Sequence, residues 1–336
     1  LLIRRKDKAG ALQALETLAT SMDPDPWAID TAGYAFDAAN LGRPALKVLR
    51  LALRKSSCHP QTAAAAIRML NARGKYLASF RLFAALKEGE VQRRAAAPLV
   101  EGLAKSSGSR QHLLCRLALT WLLWRRREVF RNDDTAWGQV GYALIRFGRM
   151  RKSAQWLSDW RTRRGAQPWM LFNLCLALRT AGRYIESNEV TRHVLKTWPH
   201  RDGATDLNLF MAVEDALTGS LEDARHYLGR TVVRNNIPYD LNLFLLAKTV
   251  IEFREVPASA RRDQFKKARR QLATRFSGGK LLSVGMDVRR TFRRAGDLFV
   301  REGAGPMAAL WLFWRLKWQW LLLPAWVALA LSRLYR

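Results

Sequence analysis

Two groups of side chains in this sequence are equipped for chemistry. One is a small set of histidines, cysteines and adjacent acids suited to metal binding or proton transfer. The other is a large excess of arginine suited to holding anions. The first group is not spaced for its task. His59, His112, His193, His200 and His226 have no Cys or His partner at the intervals of a zinc site. Asp133-Asp134 and Glu222-Asp223 each stand where a helical stretch begins, and acids there offset the positive helix end rather than share a proton. Gly278-Gly279-Lys280 lacks the rest of a phosphate-binding loop and suits a helix C-cap. Cys58, Cys115 and Cys175 are too few and scattered for a disulfide framework, so a reducing compartment and a packing role are expected. The expectation is of no catalytic residue, metal or cofactor, with any catalytic part lying upstream or on a partner subunit.

The second group dominates. In 336 residues there are 57 Lys and Arg against 28 Asp and Glu, a formal charge of +29 that calls for an anionic partner. Basic runs recur at Arg125-Arg126-Arg127, Arg149–Lys152, Arg161–Arg164, Arg261-Arg262, Lys266–Arg270 and Arg289–Arg294. Within Arg261–Arg275, the residues Arg262, Lys266, Arg269 and Arg270 fall on one helical stripe while Phe265, Ala268 and Leu272 fall on the other. Arg289, Arg290, Arg293 and Arg294 extend the basic segment, which has few acids. The carboxyl end then turns apolar, with Trp311, Trp314, Trp318, Trp320 and Trp326 among leucines and alanines. Arg315 and Lys317 divide this stretch, and Pro324 kinks it, so neither part provides the roughly 20 apolar residues of a membrane span. An in-plane helix on a membrane surface fits better. A cap on the preceding helices and an interface for a partner subunit remain the alternatives.

The elements that must carry these groups are helices almost throughout. Ala11–Ser21, Trp27–Asn40, Pro44–Lys55, Thr62–Ala72 and Tyr76–Leu86 place apolar residues at three-and-four spacing. Breakers separate them, such as Leu41-Gly42-Arg43 and Arg73-Gly74-Lys75. The best strand candidate, Thr231-Val232-Val233, is too short for a sheet. The pattern is one of stacked helical hairpins.

A repeat runs through them. Asp134–Trp160 has Trp137, then Val140-Gly141, Leu144, Gly148, Ser153, Leu157 and Trp160. A shift of 34 residues carries Gly148 onto Gly182, with Leu174-Cys175, Leu178, Ser187, Val194 and Pro199 in matching places. A third copy, offset by 37, holds Ala212, Gly219, Ala224 and Leu228. Earlier copies, around Gly74 and in a Trp27–Gly42 hairpin, are looser, and Ala95–Leu123 keeps helices but loses the motif. This pattern resembles the tetratricopeptide repeat family, closely over 134–224 and more loosely over 23–254. The resemblance implies a right-handed α-solenoid of antiparallel helix hairpins with a concave groove for protein partners. Carried over by copy, the groove positions are Gly138, Tyr142, Ile145 and Arg146, then Trp169, Phe172, Asn173, Leu176 and Arg179, then Asp206, Leu209 and Val213.

The resulting expectation is an all-α chain in four parts. Residues 1–22 form a leading helix continuing from an upstream part, 23–254 the repeats, 255–304 a basic helical segment and 305–336 the Trp-rich tail. Functionally it is a non-enzymatic adaptor that holds a protein partner and docks, peripherally or monotopically, on the cytoplasmic face of a membrane. Binding of RNA or another polyanion is the alternative, as is a subunit role in a membrane-bound biosynthetic or assembly complex.

Overall fold

A computed structural model describes residues 7–21, 26–55, 59–199, 204–231, 238–267 and 286–303. Cys58, Val232-Val233, Arg269, Arg270 and the whole Trp-rich tail lie outside them. The described residues are helical and contain no β-strand. They belong to two compact units, residues 1–173 and 174–336.

The first unit contains α1 (Lys8–Thr20), α2 (Pro26–Ala38), α3 (Gly42–Ala52), α4 (Gln61–Ala72), α5 (Tyr76–Ala84), α6 (Glu90–Lys105), α7 (His112–Arg125), α8 (Arg127–Arg131), α9 (Asp134–Arg146) and α10 (Met150–Trp156). Helix α11 (Pro168–Ala181) runs across the division between the units. The second unit adds α12 (Tyr184–Thr197), α13 (Ala204–Thr218), α14 (Leu221–Gly229), α15 (Pro238–Glu255) and α16 (Met286–Arg301).

Within the first unit α2 packs on α4, α4 on α6 and α6 on α9, while α3, α5 and α10 pair with the helix before them. Small side chains make this row possible. Ala63, Ala64, Ala65 and Ala66 of α4 are all buried, as are Ala95 and Ala96 of α6. Gly102 of α6 has no side chain where Asn71 of α4 passes; an added Cβ would lie 2.2 Å from the Asn71 amide. Asn71 uses that approach to donate to the Pro98 carbonyl at 2.8 Å and to accept from the Ser79 hydroxyl of α5 at 2.7 Å. One polar side chain thereby ties three helices together.

The turns repeat one device. Asn40, Gly74, Gly148 and Gly182 have φ of 58°, 66°, 71° and 83°, and each stands between a helix and its partner. The amide after each donates to the carbonyl five residues back: Leu41 to Phe36, Lys75 to Leu70, Arg149 to Leu144 and Arg183 to Leu178, all between 2.7 and 2.9 Å. That left-handed closure satisfies carbonyls which a helix end otherwise leaves open. Five residues further on, the hydroxyls of Ser79, Ser153 and Ser187 donate to Ile67, Gly141 and Cys175 carbonyls on the first helix of the pair. Gly141 also faces Leu157, which an added Cβ would meet at 2.6 Å.

Gly148 and Gly182 therefore occupy the inter-helix turns that the 34-residue shift requires. The first hairpin is a correction. Its turn residue is Asn40, whose side chain tolerates left-handed backbone, and Gly42 is a buried residue of α3. Gly219 also lies between two helices, but the next one begins at Ser220, whose side chain accepts from the Asp223 amide.

We expect Gly148→Ala to destabilise the chain by about 1–2 kcal/mol, because the side chain opposes left-handed backbone. Asn40→Gly is expected to be neutral or stabilising. Urea titrations followed by helical circular dichroism compare the two; equal behaviour of both variants would remove the turn from this role.

Candidate partner-binding surface

Helix α9 buries Ala136, Trp137, Val140, Gly141, Ala143 and Leu144, so its opposite face is left for other work. That face carries Tyr142 and Ile145, both half-buried, and Arg146, which is exposed. The Arg146 guanidinium is steered by the turn after α6, donating to the Ser107 hydroxyl from Nε at 3.0 Å and from Nη2 at 2.7 Å. Trp169 and Phe172 of α11 are half-buried, and the Trp169 ring lies against α9 at Gly138. Tyr142 and Arg146 thus share one face of α9, and Trp169 and Phe172 lie on α11 with the Trp169 ring against α9.

Five groove positions need correction. Leu209 and Val213 of α13 are fully buried in the second unit. Gly138 is buried, and a Cβ there would meet Met170 at 2.5 Å, so it provides close approach rather than a binding contact. Asn173 is also buried. Arg179 is 1% exposed and belongs to the interior of the second unit.

There it forms a buried ionic cluster centred on Glu214 of α13. Arg294 of α16 grips that carboxylate with two hydrogen bonds, Nη1 to Oε2 and Nη2 to Oε1, each 2.7 Å. The Arg179 guanidinium lies 3.6 Å from Oε2 and donates to Asn188 of α12 at 3.4 Å. Aromatic faces complete the enclosure: the Arg294 guanidinium carbon is 4.0 Å from the Tyr184 ring centroid, and that of Arg179 is 4.7 Å from the Phe210 centroid. Burial alone would push the Glu214 carboxyl up, but the hydrogen bonds and charge of Arg294, with the charge of Arg179, outweigh it and hold the carboxyl below its ordinary range.

Arg294 is accordingly a correction as well, since it points its charge inward to Glu214 instead of toward an anionic surface. Of the other basic positions, Arg262 and Lys266 are exposed, and Lys266 pairs with Asp263 at 2.8 Å. Arg293 is exposed and has an interaction of its own. Arg289 and Arg290 lie on α16. Arg269, Arg270, Trp311, Trp314, Arg315, Lys317, Trp318, Trp320 and Trp326 lie outside the described residues. Phe265 is buried, meeting Phe299 of α16 at 5.1 Å between centroids, as the stripe pattern requires.

No protein-family model matches the chain, and no curated protein matches it.

Among the described residues no group of three or more His, Cys, Asp or Glu side chains is placed to hold a metal ion. Cys115 and Cys175 are buried, and burial pushes the Cys175 thiol up to about 11. A second charge knot closes the far end of the α9–α10 hairpin. Asp159 accepts from Arg163, Arg131 and the Trp137 indole, while the Trp137 and Trp156 indoles each donate to the other's backbone carbonyl at 3.2 and 3.0 Å. Sequence pattern alone did not reveal either knot. Arg131 and Asp159 stand 28 residues apart, and Glu214 and Arg294 stand 80 apart, so no local spacing marks them.

Glu214→Gln removes the charge that two guanidinium groups share, and we expect it to cost about 3–5 kcal/mol of stability. Because the folded carboxyl titrates below its unfolded value near 4.5, its contribution is complete above that value and is lost as pH falls through the depressed one. Denaturant midpoints measured across acidic pH should fall for the wild type and lose this part of the slope in Glu214→Gln. Unchanged stability at neutral pH would count against the cluster.

Proposed function

We propose that this chain is a non-enzymatic scaffold of stacked helical hairpins, a right-handed solenoid of tetratricopeptide type, that holds a segment of a protein partner on the face carrying Tyr142, Arg146, Trp169 and Phe172. The observation that carries this reading is the recurrence of one hairpin closure at Asn40, Gly74, Gly148 and Gly182. Repetition of the same turn repeats the same relation between successive helices, and such arrays expose extended surfaces that bind peptides and partner helices. Aromatic side chains beside an arginine favour a segment with apolar and acidic residues.

The same reading places the scaffold on the cytoplasmic face of an anionic membrane. Support comes from the formal charge of +29, the exposed Arg262 and Lys266, and the Trp- and Leu-rich composition of 305–336. Near a negatively charged bilayer each Lys or Arg contributes about 1 kcal/mol, so a few suffice beside apolar burial. No helix of the described residues is long and apolar enough to cross a membrane.

Replacing Trp169 and Phe172 with Ala should weaken capture of partner proteins from extract at least about tenfold, the equivalent of 1.4 kcal/mol. Thermal stability of the double variant should change much less. A loss of stability equal to the loss of binding would make the pair a packing feature. The membrane half is tested by flotation with anionic and neutral vesicles. Flotation on anionic vesicles that survives moderate salt supports it; release by nuclease instead would favour a nucleic-acid partner.

A further inference from the structure

Helix α7, HLLCRLALTWLLWR, is largely apolar, with His112, Arg116 and Thr120 at four-residue steps as a narrow polar stripe. The wide apolar remainder of such a helix is ordinarily covered. Here only one side is covered: Cys115, Ala118, Leu119 and Leu122 are buried, whereas Leu113, Leu114, Leu117, Trp121 and Trp124 are exposed. Leu117 is 55% accessible and Trp124 76%. Leu113, Leu117, Trp121 and Trp124 follow one another at four- and three-residue steps, the spacing of a seam between two helices.

The end of this stripe opens onto a recess of about 340 Å³ formed with α8, α9 and α10. Trp124 and Trp156 line it together with Arg127, Arg131, Arg149 and Lys152, and no carboxylate does. Asp159 already neutralises Arg131 at 2.8 Å. Arg149 has only a neutral partner there, donating to the Thr120 hydroxyl at 3.1 Å, and burial followed by the like charge of Arg116 pushes its proton affinity below the ordinary arginine value. Arg127 and Lys152 are exposed on the rim.

We propose that the outer face of α7 and the adjoining recess are a docking site for an acidic amphipathic helix of a protein partner. Its apolar side would lie along Leu113, Leu117 and Trp121, and one of its carboxylates would enter the recess against Arg149 and Lys152. Charge complementarity selects an acidic occupant, since the recess supplies cations that lack a matching acid in its lining. The helical spacing of the stripe selects a helix over an extended peptide. This site shares no residue with the Tyr142–Phe172 face and stands whether or not that face binds a partner.

The test selects random peptides of about 16 residues, long enough for four helical turns, on the full-length chain. Counter-selection uses the triple variant Leu117→Gln, Arg127→Glu, Lys152→Glu. All three positions are exposed, and unchanged circular dichroism verifies the fold. The expected result is enrichment of acidic peptides with apolar residues at helical spacing, bound at least about tenfold more weakly by the variant. Flotation on phosphatidylcholine vesicles doped with phosphatidylglycerol should be equal for both proteins. No enrichment over the variant, or enrichment of neutral or basic peptides, would overturn the proposal. So would vesicle flotation that the triple variant abolishes, which would assign the face to lipid.

Discussion

The structure depends on one backbone constraint, a residue in left-handed conformation at the end of the first helix of a hairpin. It stops that helix, caps carbonyls that would otherwise be unpaired, and sends the chain back at a fixed angle. Asn40, Gly74, Gly148 and Gly182 all do this with the same hydrogen bond from the following amide. The return helix can then lie close only where the facing side chains are small. Ser79, Ser153 and Ser187 fulfil that condition and turn the close approach into a hydrogen bond with the helix they cross. The hairpin is thus set by a turn and a small residue five positions later, and side chains elsewhere are free to differ between copies.

That freedom is used for charge. Most of the described arginines are exposed, but a set of them works between helices. Arg131 and Arg163 converge on Asp159, and burial, which would raise that carboxyl, is outweighed by their hydrogen bonds and charges, so it stays below its ordinary range. Arg179 and Arg294 converge on Glu214, and aromatic rings cover both guanidinium planes. Arg126 donates to the Leu86 and Ala84 carbonyls, and Arg254 donates to the Ala216 carbonyl, in both cases near the end of another helix. A planar guanidinium with five donors can meet a carboxylate, a carbonyl and a ring at once, which lysine cannot do. The other cations face outward, and the recess beside α7 gathers several of them.

The α9–α11 and α7 faces differ in what they present. The α9–α11 face mixes half-buried aromatics with one tethered arginine, and its apolar parts are already partly covered by the fold. The α7 face is openly apolar over several turns, with its cations gathered at one end. The first follows from its place in the repeat, and the second arises where the repeat motif is lost between Gly74 and Gly148. There the turn after α6 is a short 3-10 segment at Ser106–Gly108 instead of a left-handed residue, so this pair of helices departs from its neighbours.

Local sequence determined the helices, their order and most of the turns. Glycine at Gly148 and Gly182 is legible because left-handed backbone penalises every residue with a Cβ, and the 34-residue interval makes the coincidence visible. Asn40 was harder to see, since asparagine serves many roles and the glycine two residues later competed for the assignment. The inward direction of Phe265 also followed from helical spacing. Whether a given arginine faces solvent was decided only by tertiary structure. Arg146 and Arg179 come from matching helices and looked alike in sequence, yet one is exposed and the other is sealed against Glu214. The reason is physical: a helical period specifies which face a side chain is on, while the charge that meets it comes from a helix tens of residues away. The same holds for α7, whose leucines and tryptophans occupy more than one face and whose fold covers only one of them.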